Sequence, residues 1–186
     1  MPDEEPDHDR NHGSGEEGGE RAADRNGPRG GGLLRRLVGE TWLDVHRSGT
    51  LAVVGFGPPA PRPPDGSGGA PAGGWYAVHA RCPFRIVQDG RVYLGSDDLV
   101  PTRGGNRPQG GGPPRMQFDI GADALRSFLR RTGPRVLSVE RAPEGDLRIG
   151  LEHGLRIDVL PTSSKRGESW RLLVRGGGHL AFPPED

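Results

Sequence analysis

His79 and Cys82 are the residues whose types and spacing come closest to a catalytic pair, because a histidine can activate a cysteine thiol as a nucleophile. They lie three positions apart in a segment that reads as a strand, so their side chains point to opposite faces unless the chain bends. Pro83 can supply that bend. The alternative interpretation is therefore a small enzyme that uses the His79/Cys82 region with Asp97 or Asp98. A buried cysteine beside a half-exposed histidine is the simpler interpretation.

Two groups of acidic residues resemble metal or acid–base sites, but each lacks the remaining parts. Asp97 and Asp98 are adjacent, yet calcium and magnesium need more oxygen ligands, and such a pair is more typical of a turn or helix cap. Glu152-His153, Asp158 and Glu168 would need to share a cleft to act as acid and base. A single cysteine excludes an intramolecular disulfide and a multi-cysteine zinc site. We therefore expect no metal and no cofactor.

Arginines recur along the predicted strands, where they alternate with apolar or aromatic residues. They are Arg81, Arg85, Arg91, Arg148, Arg156 and Arg171. A basic sheet face beside aromatic rings is typical of a module that binds single-stranded nucleic acid, which is a second alternative. Acidic residues in the same strands offer cross-strand ion pairs instead, and no concentrated basic footprint is present. We therefore expect a protein partner, and the predicted binding residues are Trp75, Tyr76, Arg85, Tyr93, Trp170 and Arg171.

Composition separates the 186-residue chain into a leader and a body. Residues 1–32 contain only two alanines and the initial methionine from the hydrophobic set, which predicts a disordered acidic and glycine-rich leader. Residues 1–20 hold eight acidic residues and one arginine, a net charge of −7, and the rest of the chain carries the balancing +7. Such a leader is able to fold back loosely on the basic body. No apolar run is long enough to span a membrane and no signal peptide is present, so we expect a cytoplasmic protein.

The remaining residues, 33–186, predict one globular domain with flexible, proline- and glycine-rich loops at 57–74 and 101–114. Alternating apolar residues indicate antiparallel strands, and Asp89-Gly90 predicts a type I′ hairpin. Leu125, Phe128 and Leu129 form one stripe of a central helix that ends at Gly133-Pro134.

The second half of the chain repeats the first, which indicates an internal duplication with repeats at 33–100 and 124–175. The matches are Leu34-Arg35-Arg36 with Leu129-Arg130-Arg131, Gly39 with Gly133, Leu43-x-Val45-x-Arg47 with Leu137-x-Val139-x-Arg141, and Phe84-Arg85-Ile86-Val87 with Trp170-Arg171-Leu172-Leu173. The predicted fold is α+β: two duplicated, mainly antiparallel modules of about four strands each, joined by the central helix. Each module is too small to bury enough surface alone, so we expect them to pack together or merge into one sheet.

Three segments carry a family resemblance: L-V-G-E-T-W-L-D-V, C-P-F-R-I-V-Q-D-G-R-V-Y-L-G-S-D-D, and G-D-L-R-I-G-L-E-H-G-L-R-I-D-V with the following E-S-W-R-L-L-V. They resemble the conserved-hypothetical small β-rich proteins of actinobacteria, and the last is similar to segments of bacterial immunity-type families. The resemblance brings no catalytic residues. The leading hypothesis is a non-enzymatic binding protein that uses a sheet face or an edge strand, with an immunity-type or accessory role as one version. The sequence leaves the partner and the oligomeric state open.

Overall fold

The computed structural model describes residues 31–59, 73–100, 115–165 and 167–184. Its elements are α1 (Gly31–Arg35), β1 (Trp42–Ser48), β2 (Leu51–Pro59), β3 (Gly74–Ala80), β4 (Phe84–Gln88), β5 (Arg91–Gly95), a 3-10 helix (Ser96–Leu99), α2 (Gln117–Thr132), β6 (Val136–Arg141), β7 (Leu147–Leu151), β8 (Leu155–Val159), β9 (Trp170–Val174) and β10 (His179–Phe182).

The leader and the two loops expected from the sequence fall largely outside these residues. The leader 1–32 lies outside the described residues up to residue 30, and its last two residues belong to α1. The loop 101–114 lies outside them entirely. The loop 57–74 lies outside them except at its ends, where β2 continues to Pro59 and β3 begins at Gly74.

The strands form two five-stranded antiparallel sheets, and α2 is the main helix, so the β-rich α+β prediction is confirmed at that level. Sheet A has the strand order β1-β2-β3-β9-β10, and sheet B has the order β5-β4-β8-β7-β6. Each half of the chain thus gives three strands to one sheet and two to the other. The halves are interleaved, an arrangement that differs from two modules packed side by side.

The two halves also have the same order of elements, a helix followed by five strands. When β1 to β5 are matched in order with β6 to β10, the strand order of sheet A becomes that of sheet B. The irregularities match as well: the β1–β2 register shifts between Trp42 and Asp44, and the β6–β7 register shifts between Val136 and Ser138. In both halves the bulge therefore shifts by one residue the alternation of side chains between the two faces of the strand.

A short antiparallel contact joins the halves where β1 and β6 begin. Thr41 and Arg135 form an isolated bridge. The backbone N–H of Trp42 donates to the carbonyl of Pro134 over 2.8 Å, and the N–H of Val136 donates to the carbonyl of Glu40 over 2.9 Å. With an offset of 94 residues, each of these bonds is the counterpart of the other.

One apolar core lies between the sheets and under α2. Trp42, Phe56 and Trp170 of sheet A and Ile149 and Ile157 of sheet B are fully buried in it. Burying each such side chain contributes about 1.5–3 kcal/mol. The stripe that α2 turns toward this core is Phe118, Ala122, Leu125 and Leu129.

The caps and turns follow from local sequence. Gly133 ends α2 in the left-handed conformation with φ of 53°. Asp89 and Gly90 both have positive φ, 48° and 79°, as a type I′ turn requires. Among the described residues no helix has the length and apolar character needed to cross a membrane.

Candidate functional site

The outer face of sheet B carries an unusual buried charge. On β8 the side chains of Leu155, Ile157 and Val159 enter the core, so alternation places Arg156 and Asp158 on the opposite, outer face. Asp158 is nevertheless only 1% exposed. A carboxylate on an outward face is buried only if other side chains cover it, and those side chains are arginines.

Three arginines surround Asp158, and we call this group the arginine cluster. The register places Arg85 of β4 and Arg148 of β7 directly opposite Asp158 on either side. The Nε of Arg85 donates to Oδ2 over 2.8 Å, and the Nε of Arg148 donates to Oδ1 over 3.0 Å. The Nε of Arg156 lies 3.0 Å from Oδ1 and 3.1 Å from Oδ2. Asp158 therefore fixes the positions of three guanidinium groups.

The cluster keeps Asp158 ionised and leaves unused donors. Burial alone would raise the pKa of Asp158, but hydrogen bonds from Arg85 and Arg148 and the charge of Arg156 outweigh it, and the pKa lies below its ordinary value. A guanidinium has five N–H donors, and each arginine gives its Nε–H to the carboxylate. Within the described residues the terminal groups of these half-exposed side chains have no hydrogen-bond partner, so they can bind solvent or an anion.

Acidic residues border the cluster on the side of Arg148. A depression of about 160 Å³ beside Arg148 and Asp158 is also lined by Glu140, Asp146 and Leu160. The depression is smaller than the roughly 300–1,000 Å³ of a typical small-molecule site. The face suits contact with the surface of a macromolecule better than enclosure of a small ligand.

His79 occupies the corresponding place on the outer face of sheet A. Burial lowers the pKa of His79, and the charge of His46 lowers it further, while Glu168 acts in the opposite direction. Glu168 is itself engaged, because the Nε of Arg171 donates to its Oε2 over 2.7 Å and Arg81 lies 3.8 Å from its Oε1. A neutral imidazole thus stands beside the ion pair of Arg171 and Glu168.

The remaining parts of the enzyme interpretation are not assembled. Burial raises the pKa of the Cys82 thiol to about 11, and this side chain packs against the core, so it stays protonated at neutral pH and is a poor nucleophile. The Oδ2 of Asp98 accepts the backbone N–H of Gly95 over 2.8 Å, and the hydroxyl of Ser96 accepts the N–H of Phe84 over 2.6 Å. Asp98 therefore caps the 3-10 helix, and Ser96 joins the start of that helix to the start of β4. The described ranges contain no group of three or more His, Cys, Asp or Glu residues that could hold a metal ion.

The predicted binding residues do not share one surface. Trp75 is 40% exposed on the outer face of sheet A, which also carries Arg171, whereas Arg85 lies on sheet B. Tyr76 turns inward and packs against the core, and Tyr93 is exposed on edge strand β5.

Trp170 is part of the core and not of a surface. Its side chain is fully buried, its indole N–H donates to the carbonyl of Gly145 over 2.7 Å, and its ring stacks on Phe182. Trp170 begins β9 as Phe84 begins β4 in the other half. This correspondence could have indicated that Trp170 is a buried aromatic residue. A partner cannot contact this indole without opening the core.

Sequence reasoning grouped Arg85, Arg148 and Arg156 among the strand arginines and offered cross-strand ion pairs for them, but it did not identify Asp158 as the residue on which these three converge. The spacing of Arg156 and Asp158 places both on one face of a strand, and this feature can be predicted from the sequence. Comparison with known proteins adds nothing further, since no family model, curated protein or solved structure matches the chain.

Proposed function

We propose that the chain is a non-enzymatic cytoplasmic protein that binds an acidic surface of another protein through the outer face of sheet B. The arginine cluster carries this proposal. It holds three guanidinium groups in fixed positions around one carboxylate, and their terminal donors have no partner in the part of the chain that the structure describes. Arginine in such a position binds carboxylates in a bidentate manner and loses little conformational freedom on binding. An immunity-type or accessory role is one form that this binding would take.

The corresponding face of sheet A argues that the cluster is more than a structural device. We infer that the two halves are duplicated modules, in which Val53, Ala77 and His79 stand at the places of Arg148, Arg156 and Asp158. The same backbone is thus built on the other side without a carboxylate at the place of Asp158. Replacing buried ion pairs by apolar residues is often neutral or stabilising, so stability alone gives little reason to keep the cluster.

An acidic protein surface fits the face better than nucleic acid does. Binding of single strands relies on aromatic rings that stack on bases beside the basic groups. The exposed Trp75 lies on the other sheet, Tyr76 turns inward and Trp170 is in the core.

The test replaces residues on the outer face of sheet B by the residues at the matching positions of sheet A. The variant Arg148→Val/Arg156→Ala/Asp158→His installs the residues of sheet A on sheet B, and it removes the carboxylate together with two of its partners, so no buried charge is left unpaired. The control variant Arg171→Gln removes an arginine from the opposite face. Fluorescence anisotropy would compare binding of an oligoglutamate peptide and of single-stranded DNA of matched length to the full chain and to both variants.

We expect the wild-type chain and Arg171→Gln to bind the peptide, and the exchange variant to bind it about tenfold or more weakly, as loss of roughly two charge-assisted contacts implies. Pull-downs from native lysate with the same three proteins would then identify the partner as the protein lost only with the exchange variant. Equal peptide binding by all three proteins would refute the proposal. Stronger binding of DNA that the exchange variant loses would favour the nucleic-acid alternative.

A further inference from the structure

Arg85 and Arg156 share one oxygen atom of Asp158. The Nε of Arg85 donates to Oδ2 over 2.8 Å, and the Nε of Arg156 donates to the same atom over 3.1 Å. Arg156 also lies 3.0 Å from Oδ1, the atom that accepts the Nε–H of Arg148. Two guanidinium groups are therefore held side by side at one point on the outer face of sheet B.

The residues in register with these two arginines are small and uncharged. Arg85 lies opposite Gly95 of β5, and Arg156 lies between Val87 of β4 and Gly150 of β7. Neither glycine has a side chain that covers a guanidinium group. Both arginine side chains are half-exposed, so a ligand can approach them from solvent.

The acidic residues that border the cluster are set apart from this point. Glu140 lies opposite Arg148, and Asp146 lines the same depression. In the order of strands in sheet B, the whole of β7 lies between Glu140 on β6 and Arg156 on β8. Arg85 on β4 is one strand farther away. An anion bound at Arg85 and Arg156 therefore avoids the carboxylates beside Arg148.

Each of the two guanidinium groups keeps an edge that can bind an anion. Its Nε–H is donated to Asp158, and its terminal nitrogens have no hydrogen-bond partner among the residues that the structure describes. The two terminal nitrogens of a guanidinium group can bind two oxygens of one anion in a bidentate pair. Two adjacent edges therefore suit an anion that forms two such pairs at once.

A phosphoryl monoester forms two bidentate pairs more readily than a carboxylate does. A phosphorylated side chain presents three terminal oxygens and carries a charge of about −1.5 to −2 at pH 7. A carboxylate has two oxygens, and one bidentate pair engages both of them. We propose that Arg85 and Arg156 together bind a phosphorylated serine side chain of the protein partner. This inference rests on the proposed function of the face and names the group that the face recognises.

The experiment measures binding of three labelled peptides to the full chain by fluorescence anisotropy. The peptides are oligoglutamates of equal length with phosphoserine, glutamate or serine at the central position. We expect the phosphoserine peptide to bind about tenfold more tightly than the glutamate peptide, because a second bidentate pair adds charge-assisted hydrogen bonds. Arg156→Gln should remove most of this preference, while Asp158 keeps Arg85 and Arg148 as partners. The control Arg171→Gln, on sheet A, should keep the preference.

The pH dependence of the preference gives a second measurement. The second pKa of a phosphoryl group is about 6, so at about pH 5.5 the group carries mostly one negative charge, as a glutamate does. The preference for phosphoserine over glutamate should therefore fall severalfold between about pH 7.5 and 5.5. Because the preference is a ratio of two affinities for the same protein, titration of the protein affects both peptides and largely cancels.

The outcomes separate this inference from the proposed function. Equal binding of the phosphoserine and glutamate peptides would overturn the inference and leave the proposed function standing, whereas binding of none of the peptides would overturn both. A preference for phosphoserine that Arg156→Gln leaves unchanged would place the phosphoryl group elsewhere and overturn the inference. Tighter binding of phosphatidylcholine vesicles that contain phosphatidic acid, which has the same monoester, would also overturn it and assign the site to a membrane surface.

Discussion

The outer faces of the two sheets have the same pattern of paired strands, but the side chains at their centres differ in charge. Asp158 of sheet B and His79 of sheet A occupy matching places, each between an arginine on one neighbouring strand and a second residue on the other. That second residue is Arg148 beside Asp158 and Val53 beside His79. At this place one face buries a charge among arginines, and the other holds a half-buried neutral ring. The difference teaches that this backbone does not require the charged cluster.

The largest expected effect is a difference in stability between variants of Asp158 and of His79. Asp158→Ala removes the acceptor of three guanidinium groups and leaves them close together without a counter-charge, so we expect a loss of about 2–3 kcal/mol in the free energy of unfolding. His79→Ala removes a half-buried neutral ring and should cost about 1 kcal/mol or less. Urea denaturation of both variants measures the two values. Equal losses would mean that the two centres contribute alike.

A smaller effect on stability is expected from replacing the arginine that both faces have at the matching position, Arg85 in sheet B and Arg171 in sheet A. Arg85→Gln leaves Asp158 with two partners, and because the Arg85 side chain is 42% exposed, solvent offsets part of the loss. We expect about 1 kcal/mol for Arg85→Gln and about half that for Arg171→Gln, whose partner Glu168 is less buried than Asp158. The same denaturation measurement checks both. A larger loss for Arg171→Gln would reverse the comparison.

The two centres should also respond to acid in different pH ranges. The pKa of His79 is lowered from 6.5, so the unfolded chain binds the proton more tightly, and stability is lost as the pH falls below about 6.5. The pKa of Asp158 is lowered from 3.8, so its contribution is present above that pH and is lost as the pH falls below it. Unfolding curves between about pH 7.5 and 5.5 should show a slope that His79→Gln reduces and the control His153→Asn keeps. An unchanged slope in His79→Gln would show that this ring is not the titrating group.

The smallest effect tests whether one centre can adopt the residue of the other. Arg148→Val places the counterpart of Val53 beside Asp158, which keeps Arg85 and Arg156 as partners. We expect a change in stability within about 0.5 kcal/mol, since a surface arginine is exchanged for a residue that the strand favours. Calorimetric melting of the variant gives the value. A loss as large as that of Asp158→Ala would show that the cluster acts as one unit.

Local sequence was sufficient for the parts of the fold that depend on near neighbours. The hairpin at Asp89-Gly90 and the end of α2 at Gly133 follow from backbone preferences of those residues. The alternation in β7 and β8 identified their buried faces. The strand β10 was not predicted, because four residues after three glycines carry little pattern.

Strand pairing, and with it the candidate site, could not be predicted. Alternation tells which residues share a face of one strand, but it does not tell which strand lies beside it. Arg85 meets Asp158 only because β4 pairs with β8, across 73 positions of the chain. Arg85, Arg148 and Arg156 were therefore grouped only as strand arginines, and their convergence on one carboxylate was not predicted.

The interleaving of the halves has a consequence for synthesis of the chain on the ribosome. In sheet A, β3 has β9 as its second neighbour, and in sheet B, β4 has β8. The 90 positions from Ala80 to Trp170 take about 5–20 s to translate. During that interval the first half presents two strand edges whose neighbouring strands have not yet been translated. Its protection from misassembly therefore depends on how soon the second half is synthesised.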